Sequence, residues 1–151
     1  STSGESTKTP GTVRVTSSGK IRYYVAYALE RLQEAPFEPL ILRVDSTVAM
    51  SRLISVAEIV KREYLTELDK KKSTRLNGLH QYNFIGYTDG AQSSAKGKGK
   101  EKERQLPWMS ITLSIEPLTG QAGSYQQPLP RNLTKSAKTR AKKRARAEAR
   151  Q

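Results

Sequence analysis

The sequence predicts an α/β fold, a two-layer sandwich of order βαβαββ with two helices on one face of a four-stranded mixed sheet. Three patterns predict it. Ile21, Tyr24, Val25, Ala28, Leu29 and Leu32 recur at i, i+3, i+4, i+7, i+8 and i+11, the spacing of one helix face. Leu53, Ala57, Val60, Tyr64 and Leu68 draw a second such stripe through "MSRLISVAEIVKREYLTEL", 50–68. In "WMSITLSIEP", Met109, Ile111, Leu113 and Ile115 alternate with Ser110, Thr112 and Ser114, the period of a half-buried strand.

Taken in order, residues 1–11, "STSGESTKTPG", have nothing to bury and read as a disordered leader. "TVRV", 12–15, is a short alternating strand. The first helix follows, with Ser17 or Ser18 placed to cap it and Pro36 and Pro39 closing the connection beyond. "LILRV", 40–44, is a nearly continuous apolar run, as expected of a strand covered on at least one face. The second helix carries Glu58→Arg62 and Glu67→Lys71 at i,i+4 on its outer positions and ends in Lys70-Lys71-Lys72, where cations suit the helix dipole. "LHQYNFIGY", 79–87, is the third strand and "WMSITLSIEP" the fourth. Between them, 88–107 is too polar and glycine-rich to pack and reads as a flexible basic hairpin arm. The folded domain therefore spans 12–118, followed by a Pro- and Gln-containing linker and a basic tail over 119–151.

The formal net charge is +13, and residues 135–151 alone hold eight basic side chains against Glu148. A compact body with a strongly basic terminal block is most simply a binder of polyanions, nucleic acid first. There is no cysteine, which excludes disulfides and thiolate zinc sites, and no apolar run approaches the roughly 20 residues of a membrane span.

The stretch "TSSGKIRYY", 16–24, delivers two cations to a helix mouth. A phosphate-binding loop of mononucleotide type would need a glycine five positions before Gly19 and a hydroxyl residue after Lys20; those positions are Arg14 and Ile21. A nucleic-acid phosphate fits better. The first turn of a helix has free N–H groups, and Ser18, Gly19, Lys20 and Arg22 would surround an anion there. Tyr23 either flanks the core or offers a ring to an unpaired base, whereas Tyr27 reads as a flank of the core. Arg52 is a further candidate contact, and Arg43 has a local ion-pair partner in Asp45. Lys96, Lys98 and Lys100 in the arm can neutralise phosphates. In the tail, Lys142, Lys143, Arg144 and Arg146 belong to "KKRAR", 142–146, which also reads as a nuclear-import signal. Alanine alternating with basic residues gives that tail helix propensity but little to bury, so it is expected to stay unfolded until it meets an anionic duplex.

Enzymatic chemistry has little to draw on. His80 is the single histidine, and Glu58, Glu63 and Glu67 lie on one helix among cations, which is ordinary ion pairing. A metal-dependent nuclease would want converging carboxylates, and Asp45 at a strand end is the one acid to watch.

With these elements in order, "SGKIRYYVAYA" (18–28), "SVAEIVKRE" (55–63) and "GLHQYNFIG" (78–86) resemble the Alba superfamily. Within it the match is closest to the larger Alba-type protein subunit of eukaryotic ribonuclease P and ribonuclease MRP. The resemblance covers 12–117. One stretch departs from it: where the family commonly carries Gly-Arg-Ala ahead of the second helix, Thr47 and Val48 occupy the glycine and arginine positions, and Arg52 falls where a lysine is usual. The resemblance implies an Alba-like fold that binds structured RNA, or DNA, without catalysis and without a cofactor or metal. It also implies pairing with a second Alba-type subunit as a heterodimer, or with itself, inside a larger ribonucleoprotein. Its setting would be tRNA and rRNA processing in the nucleus or nucleolus, away from membranes. A free-standing Alba protein on chromatin DNA or messenger RNA is the competing expectation, and a metal-dependent nuclease the remote one.

Overall fold

A computed structural model describes residues 11–89 and 105–150. The elements run β1 (Thr12–Arg14), α1 (Ile21–Glu34), β2 (Leu40–Val44), α2 (Met50–Lys70, preceded by a 3-10 turn over Thr47–Ala49), β3 (His80–Asp89), β4 (Gln105–Ser114), β5 (Ser124–Gln126) and α3 (Lys135–Ala149). The sheet order is β1-β2-β4-β3-β5. Only β1 and β2 pair in parallel, and the other pairings are antiparallel. The mixed α/β sandwich expected from the sequence is therefore present, with α1 and α2 on one face. A fifth strand and a third helix are added from the region beyond Pro117.

Alternation decides which side chains face the helices. Leu40, Leu42 and Val44 of β2 and Ile111 and Leu113 of β4 are nearly or fully buried against Val25, Ala28 and Leu32 of α1 and Leu53, Val56 and Val60 of α2. Each Val, Leu or Ile among them contributes about 1.5–3 kcal/mol by leaving water. The register Leu42↔Ile111 and Leu40↔Leu113 places these residues directly opposite one another. Gly11, read as the last residue of the leader, is in fact fixed: it takes φ +87°, and its carbonyl accepts from the Ile41 N–H at 2.7 Å. A side chain there would be strained and would press on the Pro39 carbonyl oxygen.

Several local expectations are corrected. Neither Ser17 nor Ser18 caps α1. The N-cap position is Lys20, with no side-chain cap among the described residues, because Thr16 organises the turn instead. The Thr16 hydroxyl accepts from the Gly19 N–H at 3.2 Å and shares a 3.0 Å hydrogen bond with the Tyr24 hydroxyl. On α2 the ion pairs are one residue tighter than the i,i+4 spacing suggests: Glu58 meets Lys61 at 2.7 Å and Glu67 meets Lys70 at 3.5 Å. Lys61 is buried along its stem, so its ammonium reaches only the nearer turn of the helix.

The basic tail does not stay unfolded. Residues Lys135–Ala149 form α3, whose first turn is closed by the Thr134 hydroxyl accepting from the Ala137 N–H. Ala141 gives the helix one buried contact. The cap and this small docking point supply what propensity alone lacked.

Candidate nucleic-acid interface

Two cationic groupings stand at opposite ends of α2, and their positions follow from the helix length. At about 1.5 Å rise per residue, Arg52 and Lys72 are separated by about 30 Å.

The first grouping is the mouth of α1. The turn 16–19 is drawn tight by Tyr24, whose ring covers Gly19 so closely that a Cβ there would overlap the phenol. This explains a glycine at 19 without any left-handed backbone. Ser18, Lys20, Arg22 and Tyr23 are all exposed around it. No ion pair to Lys20 or Arg22 occurs among the described residues, and the first turn of α1 holds no acid. The Lys20 ammonium lies 5.8 Å from the centroid of the Tyr23 ring. Arg52 reaches the same place from α2, its Nη1 donating to the Gly19 carbonyl at 2.8 Å. Ser18, Gly19, Lys20, Arg22, Tyr23 and Arg52 thus converge, but their roles differ. Arg52 is half-buried and holds the turn, whereas Lys20 and Arg22 are unengaged cations. Tyr27 does not flank the core as expected. It is 44% exposed and joins Tyr23, 65% exposed, on the outer side of α1. The inward face of that helix is already filled by Tyr24 and Ala28.

The second grouping lies between the end of α2 and α3. A cleft of about 570 Å³ is lined by Lys72, Ser73, Thr74, Arg140 and Arg144, with Asp69 and Arg131 at its base. Arg131 was not singled out by sequence. It is almost wholly buried and fully engaged, donating to Asp69 at 2.7 and 3.1 Å and to the carbonyls of Ser73 and Arg75 at 2.7 Å each. It ties the segment leading into α3 to the end of α2. Of the tail residues singled out by sequence, Arg144 faces this cleft. Lys142, Lys143 and Arg146 are exposed elsewhere on α3. The structure therefore does not bring the tail cations to the α1 mouth. Lys96, Lys98 and Lys100 lie outside the described residues.

Other charged candidates have structural partners. Asp45 accepts from Arg43 Nε at 3.1 Å and sits 3.7 Å from Arg14, so the local ion pair expected at Arg43 is present and extended. Arg75 pairs with Glu116 at 2.6 Å. No group of three or more His, Asp or Glu side chains suited to a metal occurs among the described residues.

His80 sits at the start of β3 with its Nδ1 2.7 Å from the Tyr125 hydroxyl. Partial burial pushes its pKa below the ordinary imidazole value, and the nearby Glu116 carboxylate opposes that shift. Among the described residues, no helix is long and apolar enough to cross a membrane.

No family model matches the chain, and no curated protein matches it. Solved structures do, among them Alba from Thermoplasma volcanium, at 14% identity over 68% of this chain and 98% of that one, with a TM-score of 0.45.

Proposed function

We propose that this chain is a non-catalytic, Alba-type RNA-binding protein that grips the phosphate backbone of structured RNA at the α1 mouth. The carrying observation is that Lys20 and Arg22 stand exposed, free of carboxylate partners among the described residues, beside a helix start with no acid in its first turn. Unspent cations next to the N–H groups of a first turn hold an anion by charge and by hydrogen bonds. The motifs at 18–28, 55–63 and 78–86 support the Alba reading, and so does the order of the elements that carry them. The closer resemblance to the larger Alba-type subunit of ribonuclease P/MRP supports a finer one. In that reading the protein is a nuclear scaffold in tRNA and rRNA processing, paired with a second Alba-type subunit.

Salt-titrated binding tests the coarser reading. Affinity for a structured RNA should fall by about 0.7–0.9 log units per log unit of salt for each phosphate neutralised. A salt-independent affinity overturns it. Affinity purification from cells tests the finer one. Recovery of ribonuclease P RNA with a second Alba-type subunit supports it, and recovery of nucleosomes or bulk messenger RNA overturns it. Magnesium-dependent cleavage by the purified protein, lost in Asp45→Asn, would overturn the non-catalytic assignment.

A further inference from the structure

The end of α2 is closed by a turn that ordinarily takes glycine. The Ser73 N–H donates to the Leu68 carbonyl at 3.0 Å and the Lys72 N–H to the Asp69 carbonyl at 3.2 Å, while Lys72 takes φ +52°. A Cβ crowds the left-handed position of such a helix ending, so glycine or asparagine is usual there. Lys72 is the one non-glycine residue of positive φ among the described residues. Residues held in that conformation cluster at ligand clamps. The Lys72 side chain is exposed and lines the cleft of about 570 Å³ between the end of α2 and α3.

The opposite wall is equally unusual. Its residues from α3 are Ala137, Arg140, Ala141 and Arg144, spaced i, i+3, i+4 and i+7 on one face. A face that only docked would be apolar at all four positions. The alanines are, and the two arginines stand exposed beside them. No ion pair or side-chain hydrogen bond engages Lys72, Arg140 or Arg144 among the described residues, and the one acid of the lining, Asp69, is held at 2.7 Å by Arg131. Glu148, the only acid of α3, does not line the cleft. Three uncompensated cations therefore face one gap from two elements.

The chemistry selects among anions. Guanidinium forks match phosphate oxygens, and Ser73 and Thr74 add hydroxyl donors on the Lys72 side. An acidic peptide would bring backbone N–H groups as well. Apart from the engaged Asp69, only Asn132 and the two hydroxyls among the lining side chains could accept from them. We propose that this cleft is a second seat for the phosphate backbone of RNA, at the far end of α2 from the α1 mouth. It rests on the polynucleotide reading above but uses a different set of residues.

The test is anisotropy of a 20-base-pair RNA hairpin with the full chain. Arg140→Gln with Arg144→Gln should weaken binding about 10-fold and lower the log–log salt slope by about 1.4–1.8, the release expected for two phosphates. Lys135→Gln with Lys138→Gln removes the same charge from exposed α3 positions outside the lining and should weaken binding less than about 3-fold. Lys72→Gly should weaken binding about 3-fold without lowering the melting temperature, because glycine suits the turn. Circular dichroism should show equal helix content in both glutamine pairs. Equal losses in the two pairs, or no loss in the Arg140/Arg144 pair, overturn the cleft as a site. A parent that binds no hairpin overturns the RNA reading and the cleft together, whereas binding that falls only with Lys20→Ala and Arg22→Ala leaves the α1 mouth standing and overturns the cleft alone. Polyglutamate binding lost in the Arg140/Arg144 pair, with hairpin affinity intact, would assign the cleft to an acidic protein and overturns the proposal equally.

Discussion

The guanidinium of Arg52 donates to the Gly19 carbonyl across 2.8 Å and so joins the start of α2 to the turn that opens α1. A charged donor on a half-buried carbonyl contributes about 1.5–3 kcal/mol. Arg52→Ala should lower stability by about that amount and weaken RNA binding by loosening residues 16–19. Chemical denaturation paired with binding anisotropy checks both. Arg52→Lys should recover less than half, because an ammonium cannot reproduce the planar fork.

Lys20→Ala with Arg22→Ala removes charge without removing packing, since both side chains are exposed. The melting temperature should hold within a degree or two, while affinity for structured RNA falls and the log–log salt slope drops by about 1–2. An unchanged slope would place the phosphate contacts elsewhere.

Arg131→Ala leaves the Ser73 and Arg75 carbonyls and the largely exposed Asp69 carboxylate without their buried donor. A loss of about 2–4 kcal/mol is expected in urea unfolding, with hydrogen exchange rising in both 73–76 and α3. Asp69→Ala should cost a comparable amount although the carboxylate itself is largely exposed, because it leaves the buried Arg131 guanidinium without its counter-ion.

Thr134→Ala deletes the hydroxyl that closes the first turn of α3. About 1 kcal/mol of helix stability should go with it. Because α3 has one buried residue, the expected readout is lower helix content by circular dichroism with little change in the global melt.

As the single histidine, His80 gives an unambiguous NMR titration. Its pKa should lie below the ordinary 6.5, and Glu116→Gln should lower it further by removing the opposing carboxylate. The sign for stability follows from this. Between the folded pKa and 6.5 the unfolded chain binds the proton more readily, so His80's contribution is whole above pH 6.5 and declines as the pH falls towards the folded value. A folded pKa at or above 6.5 would contradict the burial on which this rests.

The elements with long-range periodicity were legible in the sequence. The Ile21–Leu32 face of α1, the α2 stripe and the β4 alternation each repeat a burial pattern often enough to override single exceptions. β3 was legible as a strand but not in its facing. In "LHQYNFIG" the aromatic residues alternate as a core face would, yet the helices cover Leu79 and Gln81, and the rings point away from them. Gln81 is buried there with its amide nitrogen donating to Asn83 at 2.7 Å. Nothing in a local pattern announces that inversion, because the register with β4 imposes it. β5 is three exposed residues with no pattern at all, and Arg131 is one cation in a proline-containing linker. Both acquire meaning only through partners 41 to 62 positions away in the chain. At the α1 mouth the residue set was legible, and the division between the bracing Arg52 and the free Lys20 and Arg22 was not.

The two outer strands of the sheet, β1 and β5, are three residues each. Each presents only about 10 Å of edge backbone, too little by itself to template a neighbouring chain, although β3 beyond Asn83 adds edge on the β5 side. Of the ten-residue strands, β4 is flanked on both sides where β2 pairs with Met109–Leu113, whereas β5 covers β3 only at Gln81–Asn83. Cutting the chain before Ser124 would bare β3 at Gln81–Asn83 as well and remove the Arg131 ties, so the expected outcome is a lower melt together with fibrillar aggregation, visible as thioflavin-positive material.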